Sequence, residues 1–465
     1  MVAQTQPPQM PTRWPLAVMP ENRDSSTAKD AKIINGYLEK TEQGYEVYKR
    51  AGYGEALGLS VSAGAGLGMF NWNGDLYYVT GTTLYKNGVS LGTVANASGD
   101  PYFFNSCLGA VPKLALGNGA AAYHYEPVGG LLPMGGVAPP VASVYGFAYV
   151  DGGMYYLNTA SFLQGSGFND LDTWDTLNVI RAQMEPSQGV AAMKHLAYVL
   201  AMKWWTTEVF YDAGTVPCAL APVQGAQLQF GCRSARTVQE IDGKLFWLAS
   251  TTGAGLCVVQ LQDLKISVIS TRAIERLVQG AGVSHNLGWS CEFAGHRFYV
   301  LTCQDLNITL AYDLQEKTWA QWVDVNGNYM PIAASATLGT ACLLQHLTNG
   351  KIYTMVDTAY TDAGDLITFD LYTPNFDAGV DRRKTLKMLR INADQQNGSV
   401  LQIRCNDYDY DANKWTNFRT LNLGQKRPFL TDCGTFRIRA YHFRHQCNAP
   451  LRIRSADLHL ELGTL

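Results

Sequence analysis

Between about residue 60 and residue 360 the chain repeats one pattern: a turn pair, a short aromatic and β-branched run, a second turn and a second run. Asn73-Gly74 precedes Leu76-Tyr77-Tyr78-Val79, and Asn87-Gly88 closes the next hairpin. Asn-Gly between alternating apolar runs is a strong hairpin signal, because both turn residues must take positive φ. Comparable runs follow Asn118-Gly119, Gly152-Gly153, Lys194-His195, Asp242-Gly243, Gly295-His296 and Asn349-Gly350. With Tyr77, Ala121, Tyr155, Tyr198, Phe246, Phe298 and Tyr353 as markers, the steps are 44, 34, 43, 48, 52 and 55 residues. These bracket the roughly 40 to 50 residues of a four-stranded propeller blade. Each unit has room for four short strands and no long helix. So small a sheet cannot bury both faces alone, and radial stacking solves that.

The one helical signal, Thr271 to Gln279, puts Ile274, Leu277 and Val278 on one face for two turns. The expected fold class is therefore all-β, with an irregular β-propeller body over residues 31–376. Beyond residue 377 the texture changes to longer strands with alternating charge: Leu386 to Ile391, Leu401 to Arg404, Phe436 to Tyr441 and Leu451 to Arg454. Period-two alternation with Arg outward predicts a half-exposed antiparallel sheet or sandwich over residues 377–465. Residues 1–30, with Pro7, Pro8, Pro11, Pro15 and Pro20, read as an extended arm, either frayed or strapped onto a neighbouring subunit. Pro127 to Val150, with four Pro and five Gly, reads as a mobile loop, centred on residues 127–140, followed by a strand; a membrane-spanning helix there is not expected. The opening residues lack the apolar core of a signal peptide.

Composition narrows the function classes. Hydrophobic residues at 47% exclude a disordered chain, whereas with only 16% charged residues the polar surface must come from Ser, Thr, Asn, Gln and Tyr, or much surface is buried against partners. A formal net charge of −3 excludes a protein that holds nucleic acid by bulk electrostatics. The charge is uneven. Residues 1–376 carry 21 Lys and Arg against 30 Asp and Glu, a net of −9, while residues 377–465 carry 15 against 9, a net of +6. Ten cysteines without a C-x-x-C pair, among them Cys107, Cys218, Cys232, Cys257, Cys291, Cys303 and Cys342 in or near apolar runs, read as buried thiols of a reducing compartment.

No catalytic, cofactor-binding or metal-binding residues are assigned. Asn406 to Asn413 alternates carboxylates as a calcium loop does, but Ala412 stands where that loop needs Gly and Phe418 where it needs Glu, so a polar turn is expected. Asp170, Asp172 and Asp175 surround Trp174, and with Trp204 they give the alternative reading, a propeller that binds or cleaves surface polysaccharide. Against it, carboxylates so close in sequence seldom straddle a substrate. His442 and His445 on one strand point to opposite faces, with Cys447 two residues on, and no metal set follows. His124, His195, His285, His296, His346 and His459 are scattered. Ser62 to Gly68 is glycine-rich but lacks the Lys and the following helix of a phosphate loop. Arg382, Arg383, Lys384, Lys387 and Arg390 form the densest basic cluster, read as a solvated strand edge or a contact for phosphate or an acidic partner. Trp204-Trp205 and the 25 Tyr read as propeller core or as stacking platforms.

Three stretches resemble the packaged-DNA stabilisation, or tail nozzle, proteins of short-tailed bacteriophages, and the resemblance runs over nearly the whole chain. Asn35, Tyr37 and Glu39 followed by Tyr48 to Tyr53 look like the family's opening "N-x-Y-x-E … K-R-x-G", with Ala51 where Pro is more usual. Ala182, Glu185-Pro186, Leu196 to Leu200 and Trp205 to Gly214 look like its central "T-x-E-x-F-x-x-x-G" strand pair. Phe436 to Leu462 is similar to its closing Arg-rich strands, the last being Asp457 to Glu461. The Pro/Gly-rich 127–140 segment departs from that pattern. The resemblance implies a non-enzymatic virion component without cofactors: a subunit of a hexameric ring below the portal and adaptor proteins. Such a ring extends the DNA exit channel, retains packaged double-stranded DNA without reading its sequence, and docks a spike, fibre or needle. It implies assembly in the host cytoplasm, a place in the virion tail as part of the head-tail connector, a role in DNA ejection and no membrane insertion.

Overall fold

The computed structural model describes residues 12–14, 31–42, 44–61, 63–95, 99–137, 139–140, 142–253 and 255–463. Among these, strands dominate and assemble into seven consecutive four-stranded antiparallel units. Blade 1 comprises Gly66–Trp72, Asp75–Thr80, Thr83–Lys86 and Val89–Thr93, and blade 2 Phe103–Cys107, Lys113–Gly117, Ala122–Glu126 and Gly130–Pro133. Blade 3 comprises Ala148–Val150, Gly153–Leu157, Phe162–Gly167 and Asp170–Arg181, and blade 4 Gly189–His195, Tyr198–Lys203, Thr207–Asp212 and Leu220–Pro222. Blade 5 comprises Gln239–Ile241, Lys244–Thr251, Gly255–Gln262 and Lys265–Val268, and blade 6 Asn286–Phe293, His296–Cys303, Ile308–Asp313 and Trp319–Trp322. Blade 7 takes Ile332–Leu338, Ala341–His346 and Ile352–Val356, and its fourth strand is Gly52–Glu55 from the other end of the chain. First strands of neighbouring blades touch at six of the seven seams, including that between blades 7 and 1, and blades 4 and 5 pack through a shared hydrophobic cluster, so the units close into a β-propeller around an axis.

The turns follow from residue choice. Asn73 and Gly74 take φ of 53° and 83°, and Asp242 and Gly243 take 53° and 67°, the doubly positive turn that matches strand twist. In blade 3 the turn pair is Asp151-Gly152 and in blade 6 Ala294-Gly295, each one residue earlier than the sequence pattern suggests. Of the seven markers, Tyr77, Tyr155, Tyr198, Phe246 and Phe298 lie on second strands, Tyr353 on a third strand and Ala121 in the turn before one. The segment expected as a loop over residues 127–140 is partly strand: Gly130–Pro133 folds back on Ala122–Glu126 as the edge of blade 2. The helix Arg272–Val278, capped by Thr271, buries Ile274 and Val278, but Leu277 faces solvent. No helix among the described residues is long and apolar enough to cross a membrane.

Each seam between blades has its own hydrophobic cluster. Between blades 4 and 5, Leu200, Met202 and Val209 pack on Leu245, Trp247 and Val259; between blades 7 and 1, Leu343 and Ile352 pack on Met69, Leu76 and Tyr78. Gln345 pins the closing seam: its Nε2 donates to Val79 O (2.8 Å) and Thr80 Oγ1 (3.2 Å), and its Oε1 accepts from Gly68 N (2.9 Å).

Beyond the propeller lies a β-sandwich. One layer holds Gly36–Thr41, Gly44–Lys49, Arg452–Leu462, Lys384–Ala393 and Phe429–Thr431, and the other Lys32–Ile34, Phe369–Tyr372, Ala440–His445, Val400–Asn406 and Arg419–Asn422. Ile33, Leu371, Ile403 and Phe443 meet Leu38, Val47, Leu389, Ile391 and Leu458 in its core. Residues 32–49, expected in the propeller body, thus pair with strands from the far end of the chain, because their apolar faces complete that core. Thr12–Trp14 adds to the same layer beside Arg452–Leu462, and the rest of the expected arm lies outside the described residues. The strand expected over Phe436 to Tyr441 is broken into Thr435–Phe436 and Ala440–His445. Between them Ile438 is exposed and Arg439 is buried, its guanidinium paired with Asp407 (2.6 and 2.8 Å), which reverses the expected outward Arg.

Candidate functional site

Where the inner edges of blades 2 to 5 converge, an axial cleft of about 600 Å³ opens. Phe103, Asn118, Tyr145, Gln188, Trp204 and Arg236 are among its lining residues. Arg236 is the middle residue of the short helical turn Ala235–Thr237; burial lowers its pKa, while Tyr145 and Asp100 act in the opposite direction. Burial raises the Tyr145 phenol. The described lining contains no His, Cys, Lys or Glu, and Asp100 is its single carboxylate. A single carboxylate does not make the carboxyl pair that glycoside cleavage needs.

Of the polysaccharide candidates, Trp204 lines that cleft and Asp170, Asp172, Trp174 and Asp175 do not. Trp174 is 1% exposed, packs in the blade 2–3 seam against Tyr156 and donates Nε1–H to Leu171 O (2.8 Å), so it presents no face to a sugar. Asp170 accepts from Asp172 N (2.9 Å) and from Thr173, holding a turn. Asp175 Oδ1 accepts from Leu177 N (3.0 Å). Trp204 packs edge-on to Trp205 with the Arg233 guanidinium 5.0 Å from its ring. Asp172 instead joins a cluster at the same seam: Lys113 Nζ lies 2.8 Å from Asp172 Oδ2 and 2.7 Å from Glu126 Oε1, beside buried His124.

The basic cluster is dispersed by the pleat. Lys384 is fully buried and its ammonium donates to the carbonyls of Val380, Arg382 and Arg437 (2.5, 2.8 and 2.8 Å). Lys387 pairs with Glu461 (3.2 Å), and Arg390 is half-buried, leaving Arg382 and Arg383 exposed. A register shift between Leu386 and Met388 puts both Leu386 and Leu389 in the core, breaking strict alternation. In the Asn406 to Asn413 turn, Asp407 pairs with Arg439, Asp409 Oδ1 accepts from Asn375 (2.9 Å) and Asp411 Oδ1 accepts from Asn413 N (2.9 Å). His442 bridges Asp370 (Nε2, 2.6 Å) and Arg404 (Nδ1, 2.9 Å), while His445 Nε2 meets Ser399 Oγ (2.7 Å).

The signature residues come together around groups that sequence reasoning missed. Arg50, 1% exposed, donates from Nε to Asn35 Oδ1 (3.0 Å) and from its two Nη atoms to Asp362 (2.9 and 2.5 Å). It also reaches the carbonyls of Ala51 and Val323 (3.1 and 3.3 Å), so it clamps the sandwich to blades 6 and 7. In the centre, buried Lys203 pairs with Glu208 (2.5 Å) and donates to Ala182 O (3.4 Å) and to Glu185 O. Glu208 in turn accepts from Met184 N (3.1 Å). Both signatures are braces between elements. Asp362 and Lys203 carry no local sequence signal beyond being charges in apolar surroundings.

The family comparison is consistent with this topology. Among curated proteins no sequence matches the chain. Solved structures with a likeness include a catalytically inactive virginiamycin B lyase from Staphylococcus aureus with quinupristin: 7% identity, TM-score 0.45, covering 66% of this chain and 99% of that one. A streptogramin B lyase aligns at 9% identity and TM-score 0.43 over 69% of this chain and 98% of that one. The computationally designed Ika8 protein aligns at 8% identity and TM-score 0.40, covering 66% and 99%. A family model matches residues 16–336, spanning the opening and central signatures and most of the propeller. The chain belongs to the phage stabilisation family described as Bacteriophage P22 Gp10, beta-propeller.

Proposed function

We propose that this structural phage protein is one subunit of a tail nozzle: an oligomeric ring, hexameric by resemblance to the family, that extends the DNA exit channel below the portal and adaptor. It retains packaged DNA, lets it pass on ejection, and docks a spike, fibre or needle. The family match over residues 16–336 carries this reading. Two features support it. Large apolar side chains stay exposed on this chain alone, among them Leu108 (63%), Phe168 (79%) and Leu177 (63%) around blades 2 and 3, a surface suited to burial against other subunits. The net of −9 over residues 1–376 suits walls that do not grip a polyanion. The domain division that follows is a propeller carrying the channel and a basic sandwich, built from both chain ends, turned toward acidic partners. Assembly would take place in the host cytoplasm, with the subunit ending in the virion tail.

The test is assembly state. The purified full-length chain, alone and with portal–adaptor complexes, is imaged by negative stain and weighed by mass photometry. Closed rings on the complexes support the proposal. A monomer throughout, with nothing added to the complexes, refutes it.

A further inference from the structure

The blade 2–3 seam carries a group of side chains that the assembly reading leaves unused. Lys113 and His124 sit on adjacent strands of blade 2, and Glu126 follows His124 on the same strand face. Asp172 reaches them from Asp170–Arg181, the edge strand of blade 3. Its strand is anchored beside it by Leu171 and Trp174, both buried, and its amide is held by Asp170. The carboxylates are therefore placed before any ligand arrives.

His124 is 1% exposed, yet neither ring nitrogen makes a hydrogen bond. Nδ1 faces Asp172 Oδ1 and Nε2 faces Glu126 Oε1, each at 3.5 Å. A buried imidazole without a hydrogen-bond partner costs free energy, which calls for a compensating contact. One ligand atom from each of His124, Glu126 and Asp172 can be chosen so that all lie within 4.8 Å of one another. In a tetrahedral site with metal–donor distances of 2.0 to 2.2 Å, neighbouring donors stand about 3.4 Å apart, so one imidazole nitrogen and the two carboxylates draw closer from within 4.8 Å when an ion enters. Asp172 is 48% exposed and Glu126 21%, which leaves an entry path for an ion and an open fourth position for water.

We propose that His124, Glu126 and Asp172 form a divalent transition-metal site, of the kind Zn²⁺ occupies, that clamps blade 2 to blade 3. One imidazole with two carboxylates suits Zn²⁺ and its neighbours, whereas Ca²⁺ wants six to eight oxygens and Mg²⁺ an octahedron of oxygens. Lys113 is the resident cation when no metal is bound, since its ammonium spans both carboxylates at 2.7 and 2.8 Å. A metal must displace it, and the flexible lysine stem can swing toward solvent when it does.

The experiment uses the full-length chain without a histidine tag, stripped with a chelator. Zn²⁺ is titrated by calorimetry and Co²⁺ by visible absorption, with Mg²⁺ and Ca²⁺ alongside. One saturable Zn²⁺ per chain, a tetrahedral Co²⁺ spectrum without thiolate charge-transfer bands, and no response to Mg²⁺ or Ca²⁺ are expected. Asp172→Asn, a half-exposed change that leaves the seam packed, should weaken Zn²⁺ binding by about tenfold or more. Lys113→Met should tighten it by about tenfold, because a competing charge is gone. His285→Ala, which removes an exposed imidazole 2.7 Å from Asp305, should change nothing. Absence of saturable Zn²⁺ binding, binding unaltered by Asp172→Asn, binding lost in His285→Ala, or weaker binding in Lys113→Met would each overturn the site. None of these outcomes depends on ring formation.

Discussion

The Arg50–Asp362 clamp makes a quantitative demand. The two side chains are 1% and 7% exposed, so solvent screens the pair little. Replacing Arg50 by Met keeps much of the stem volume over Trp322, whose ring lies 5.7 Å from the guanidinium carbon, but strands the Asp362 carboxylate without a cation. Leaving one partner of such a pair buried and alone costs about 3–5 kcal/mol. Arg50→Met should therefore lower the stability read from the urea midpoint by that amount, with faster amide exchange at Val323, whose N–H donates to Asn35 Oδ1 (2.9 Å). In the double variant with Asp362→Leu no lone charge remains. It should lose clearly less than the sum of the singles, with a coupling of about 2–3 kcal/mol. A cost for Arg50→Met below about 1 kcal/mol, or additive singles within about 0.5 kcal/mol, would refute the argument that Asn35, Arg50 and Asp362 form a structural clamp.

Other expectations follow from particular contacts. Gln345→Leu at the blade 7–1 seam leaves the Gly68 amide without its acceptor and should cost about 1–3 kcal/mol, seen as a lower denaturation midpoint and earlier proteolysis in blade 1; an unchanged midpoint would refute it. Trp174→Ala should cost about 3–5 kcal/mol as a cavity in the blade 2–3 seam, with a silent glycan array before and after; binding that depends on Trp174 would reverse that assignment. Burial, helped by the nearby Lys49 charge, pushes His445 down from 6.5 to about 3, and burial also lowers His195, His346 and His442. A histidine held below its unfolded value contributes stability that is complete above pH 6.5 and falls as the pH drops below it. The slope is about 1.4 kcal/mol per pH unit for each such histidine. His296 opposes them, since the Asp313 hydrogen bond raises it against the effect of burial. The unfolding midpoint should drop between pH 6.5 and 4, and His445→Gln should flatten that drop; an identical pH profile would count against the assignment.

Much of the propeller was legible because its information is local. Asn73-Gly74 and Asp242-Gly243 encode turns within a few residues, and strands joined by such turns pair with their sequence neighbours. Turn chemistry also hid small errors. Asp151-Gly152 takes the turn that the sequence reading placed at Gly152-Gly153, because Asp tolerates positive φ at 46° and Gly153 then begins the strand. The basic cluster misled for a related reason: Lys384 and Lys387 look alike in sequence, yet one caps three carbonyls in the core and the other lies in solvent.

The sequence by itself determined the all-β class, the sevenfold recurrence of hairpins, the change of texture near residue 377 and the resemblance to the family. Tertiary structure alone decided that Gly52–Glu55 closes blade 7, that residues 32–49 complete the far sandwich, and that Asn35, Arg50 and Asp362 meet. It also decided that His124, Glu126 and Asp172 share one seam. The division has a physical cause. Turn and pleat preferences act over two to ten residues, whereas burial of apolar faces and pairing of buried charges depend on which distant segments exclude water together.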